Sequence, residues 1–68
     1  MSVDFRIISK TAVHGISFVM PMNEEAYDFI ENECDMTVLS AGCAPIDTNS
    51  VDSFISDAGW SKLSSELV

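Results

Sequence analysis

Apolar and polar residues alternate at period two along Val3-Asp4-Phe5-Arg6-Ile7, the pattern of a half-buried strand. Ile8 breaks the alternation, so part of that strand is expected to be covered on both faces. Val13-His14-Gly15 reads as a turn, with Gly15 free to take a φ that other residues resist. Ile16-Ser17-Phe18-Val19-Met20 reads as a second strand with Ile16, Phe18 and Met20 inward, ended by Pro21, which cannot donate to a ladder. Residues 3–9 and 16–20 are therefore expected to pair as an antiparallel hairpin. The period then changes. Ala26, Phe29, Ile30 and Cys34 follow i, i+3, i+4, i+8, the apolar stripe of a helix over 24–33, with Asn23 as its N-cap and Glu24 and Glu25 in the first turn. Thr37 to Ser40 reads as a short third strand, and Gly42 to Thr48 as a loop containing Pro45. Val51, Phe54, Ile55 and Ala58 mark a second helix over 50–58, capped by Asn49 or Thr48. Gly59 is expected to stop it in a left-handed conformation, with Trp60 folding back on the helix end or the sheet as a lid on the core; an interface anchor is the alternative for Trp60. The serine-rich segment 61–68 yields no assignment. The order ββαβα predicts an α+β fold: a small antiparallel sheet with two helices packed on one face. The expected core is Phe5, Ile7, Phe18, Phe29, Ile30, Leu39, Phe54 and Ile55.

The 68 residues make a single small acidic domain spanning 1–68. A 47% hydrophobic content and a mean hydropathy of +0.22 exclude a disordered acidic tail. Three Lys and Arg against eleven Asp and Glu leave a net charge of −8, which argues against direct binding of nucleic acid or anionic lipid. The longest mostly apolar stretch, 16–22, is too short for a spanning helix, and residues 1–10 do not form a signal peptide. With Cys34 and Cys43 as its only cysteines, the chain reads as a cytoplasmic protein with reduced thiols. A single bridge between the two is the alternative.

Few residues carry recognisable chemistry. His14, Cys34, Cys43 and the carboxylates show no metal-ligand spacing, so no metal or cofactor is expected. No nucleophile elbow, phosphate-binding loop or dinucleotide fingerprint is present, and a domain this small rarely encloses a catalytic cleft, so no enzymatic activity is expected.

The distribution of charge is more informative. Residues 1–20 carry +1, 21–40 carry −6 and 41–68 carry −3, and no Lys or Arg lies between Lys10 and Lys62. Glu24, Asp28, Glu31 and Asp35 are spaced i, i+4, i+7, i+11, one face of an α-helix, with Glu25 and Glu33 beside them. Successive acids along such a row lie about one helical pitch, ~5.4 Å, apart, the order of the spacing between phosphates. Such a row can serve solubility alone, or it can occupy a Lys/Arg groove that normally holds nucleic acid. In size, charge and this row, the chain resembles the small acidic inhibitor proteins of phages and other mobile elements, anti-CRISPR and DNA-mimic proteins among them. The resemblance implies a non-enzymatic inhibitor that binds a protein with a basic, nucleic-acid-binding surface through Glu24, Glu25, Asp28, Glu31, Glu33 and Asp35. The alternative is a homodimeric structural or regulatory module whose acids serve only solubility, with Ile8 part of an uncovered apolar patch.

Overall fold

The computed structural model describes residues 3–13 and 15–68, with side chains for 3–9 and 15–68; His14, placed above in the hairpin turn, lies outside the described residues. Strands β1 (Phe5–Val13) and β2 (Ile16–Pro21) form the expected antiparallel hairpin, with Phe5 opposite Pro21, Ile7 opposite Val19 and Ile8 opposite Phe18. The register shifts between Ile8 and Val13, and Gly15 turns the chain at φ 77°. Strand β3 (Ala44–Asp47) pairs antiparallel with β2, and β4 (Ser65–Leu67) pairs parallel with β1, giving the order β3-β2-β1-β4. Helix α1 (Glu24–Asp28) runs on as a π-helical turn over Phe29–Glu33; α2 (Val51–Trp60) follows a 3₁₀ turn at Thr48–Ser50. The fold is α+β, and its four-stranded sheet is mixed rather than antiparallel throughout.

One core cluster joins both helices to one face of the sheet: Ala26, Phe29, Ile30, Val51, Phe54 and Ala58 meet Phe5, Ile7, Val19 and Ala44. At its centre the rings of Phe5, Phe29 and Phe54 make tilted and edge-on contacts with centroids 5.0–6.1 Å apart, the geometry the ring quadrupoles favour. Five of the eight expected core residues are buried: Phe5, Ile7, Phe29, Ile30 and Phe54. Ile55 packs half-buried against the cluster, Leu39 is 48% exposed, and Phe18 lies outside the cluster.

The position of Phe18 follows from the register. Residues directly opposite on paired strands share a face, so Val19 follows Ile7 inward, and Ile16, Phe18 and Met20 point to the other side. The inward side of β2 is thus small, with Ser17 and Val19 fully buried. The Ser17 hydroxyl, 2.8 Å from that of Thr48, loses no hydrogen bond by burial.

The third strand is also displaced. Residues 37–40 lie outside any strand, and the pairing falls instead on 44–47, including Pro45. Proline is tolerated there because β3 is an edge strand. Thr48 and Asn49 sit within the 3₁₀ turn rather than capping α2, whose N-cap position is Ser50. Gly59 is an ordinary residue of α2, and the left-handed position belongs to Lys62, at φ 63°. Leu63 N–H donates to Ala58 C=O at 2.9 Å and Lys62 N–H to Gly59 C=O at 3.0 Å, which is a Schellman ending with buried Leu63 closing over Ala58. This ending redirects the chain into β4.

Candidate functional site

Helix α1 begins where the sequence places it. The Asn23 side-chain oxygen accepts the Ala26 N–H at 2.8 Å, while the Asn23 amide donates to Asp4 Oδ1 at 2.7 Å. The cap is thereby tied to the approach to β1. From Phe29 the backbone widens: Cys34 N–H donates to Phe29 C=O, five residues back, and Met36 N–H to Ile30 C=O, six back. An uninterrupted α-helix would place Glu33 at i+7 from buried Ala26 and i+3 from buried Ile30, on the buried face. The π turn rotates less per residue and carries Glu33 out to solvent.

All six candidate acids, Glu24, Glu25, Asp28, Glu31, Glu33 and Asp35, are exposed. The single row expected of 24, 28, 31 and 35 does not persist as one helical line, because Glu31 lies within the π turn and Asp35 beyond the helix, at φ 52°. Three of the six are brought together instead. Glu25, Asp28 and Glu33 line an open groove of about 250 Å³ with Asn32, Phe29 and, from the turn after α2, Ser61 and Leu63. Its floor is apolar at Phe29 and Leu63, and its walls are anionic. Such a groove suits a long cationic side chain, whose methylene stem lies on apolar surface while its head meets carboxylate.

Sequence reasoning missed Ser61, Leu63 and Asn32, and favoured Trp60 as a lid on the core; Trp60 is 85% exposed, so it covers nothing. Only the conflict of Glu33 with the apolar stripe hinted at the π turn. Tyr27 and Met22 are also exposed, whereas Met36 packs against the core. Behind the acidic surface, Cys34 is half-buried and has its thiol pKa raised, by burial first and then by the carboxylates of Asp57 and Glu33. Both cysteines are free thiols. Among the described residues no three His, Cys, Asp or Glu side chains cluster to hold a metal ion, and no helix is long and apolar enough to cross a membrane. Compared with protein-family models, curated proteins and solved structures, the chain has no significant match.

Proposed function

We propose that this chain is a small non-enzymatic inhibitor in the cytoplasm that lays the acidic face of helix one against the basic, nucleic-acid-binding surface of a protein partner, in the manner of anti-CRISPR and DNA-mimic proteins. The observation that supports this reading most is the exposure of six carboxylates between residues 24 and 35, in a stretch with no Lys or Arg. Such a surface attracts a cationic partner over long range, and the Phe29–Leu63 floor adds apolar contact at short range.

Two triple variants separate contact from steering, because each removes three charges. Glu25→Gln, Asp28→Asn and Glu33→Gln strip the groove; Glu24→Gln, Glu31→Gln and Asp35→Asn strip its surroundings. The partner is recovered by pull-down from the native host at low and high salt, and binding is measured at both ionic strengths. Wild-type affinity should fall steeply with salt. Both variants should associate more slowly, and the groove variant should also dissociate faster, since a desolvated Arg or Lys would be left unpaired. Unchanged affinity and salt slope in both variants would sink the proposal.

A further inference from the structure

The side of the sheet away from the helices carries Ile8, Ile16, Phe18 and Met20, all half-buried and none in contact with the core cluster. The same face carries three exposed charges, Arg6, Asp47 and Glu66, the first two placed symmetrically about Phe18. Arg6 lies one strand over, on β1, at the level of Met20; Asp47 lies one strand over on the other side, on β3, at the level of Ile16. Each is thus two residues along and one strand across from Phe18, about 8 Å away at ordinary sheet spacings.

A two-fold axis lying in the interface, through Phe18 and perpendicular to the line from Arg6 to Asp47, exchanges these two positions. It stacks Phe18 on its own copy and sets Arg6 of each protomer on the partner's Asp47, twice, as an isologous interface requires. The strands of the two sheets then cross at roughly 70°, nearer the orthogonal than the aligned class of sheet packing. Glu66 neighbours Arg6 on β4 at the rim, and the guanidinium fork can serve both carboxylates.

We propose that a second copy of this chain covers this face in that arrangement. Charge distribution favours a copy here. The acids of residues 24–35 belong to the helix layer, on the far side of the sheet. Back-to-back sheets hold the two helix layers more than about 20 Å apart, well beyond the ~8 Å Debye length at physiological salt. The face measures roughly 20 by 17 Å from strand number and spacing, less than half the ~800 Å² per partner of a standard interface. The dimer is accordingly a weak one, with micromolar to millimolar Kd. It leaves the acidic groove free, so this proposal and the inhibitor reading can each fail alone.

Sedimentation equilibrium of the full chain from 10 µM to 1 mM tests it. The wild type should move from 7.4 kDa toward twice that mass. Phe18→Asp should remain monomeric, and Met20→Asp repeats the measurement should the first variant fail to melt cooperatively. Arg6→Asp and Asp47→Arg should each weaken association about tenfold or more, and the double swap should restore it to within about threefold. A wild type that stays monomeric at 1 mM, or a double swap no better than either single one, overturns the proposal.

Discussion

Asp4 shows how one side chain at the surface can organise distant parts of this chain. Its Oδ2 accepts the Ser64 N–H at 2.9 Å and its Oδ1 accepts the Asn23 amide at 2.7 Å, while its own N–H donates to Ser64 C=O at 3.1 Å. The approach to β1, the cap of α1 and the entry to β4 converge on one carboxylate. These bonds, that from the Ser64 backbone first and that from Asn23 second, hold the Asp4 pKa below the ordinary carboxylate range. A lowered pKa stabilises the fold above the unfolded value, about 3.9, and that contribution is lost as pH falls through the lower folded value. Asp4→Asn should therefore melt below the wild type at pH 6, because its amide turns a donor toward Ser64 or Asn23. The gap should narrow in paired melting curves as pH falls below about 4.

At the scale of elements, the sequence and the structure agree where short-range physics decides. The Asn23 cap, the hairpin, and the extents of both helices to within two residues followed from local pattern. They part where a distant partner decides. Ile16, Phe18 and Met20 are the bulkier side of β2, yet Ile7 opposite Val19 turns them away from the core. Pro45 discourages any strand assignment, yet an edge position has no need of its N–H. For the candidate site, the six acids were legible in the sequence, but their grouping with Phe29 and Leu63 depends on the π turn and on where α2 ends. Two substitutions test that ending. Gly59 has helical φ, and an added Cβ would meet nothing within 4 Å. Gly59→Ala should therefore stabilise the protein by about 0.5–1 kcal/mol, where a glycine needed as the stop would make it destabilising. Lys62→Gly should also stabilise, by about 0.5–1 kcal/mol, by removing left-handed strain at the true stop. Urea unfolding of both variants gives the sign directly.

For the molecule as a whole, a thin core and a high charge set the stability. A chain of this length holds about 3–10 kcal/mol in all. Phe54, 4% exposed, packs on both Phe5 and Phe29. Phe54→Ala should cost about 3–5 kcal/mol, a large part of that total, and lower Tm well below the wild type by circular dichroism. A wild-type melting curve for this variant would contradict the packing of α2. The net charge of −8 acts on the same small margin. Raising NaCl from 10 to 500 mM should raise Tm, because screening relieves self-repulsion.

The parallel pairing of β4 with β1 has a consequence for synthesis on the ribosome. β1 is synthesised before β4, and hairpins such as β1–β2 close within microseconds. Its other edge is paired along Phe5–Ile7 by a strand made some 60 residues later, and Asp4 likewise waits for Ser64. Until β4 has been made, the β1 edge of the hairpin therefore stands open along Phe5–Ile7, the state in which strand edges recruit other strands. Arrival of β4 closes that stretch of edge and brings Ser64 to Asp4. The β3-β2-β1-β4 sheet cannot be complete until β4 is made, whatever the order in which the helices form.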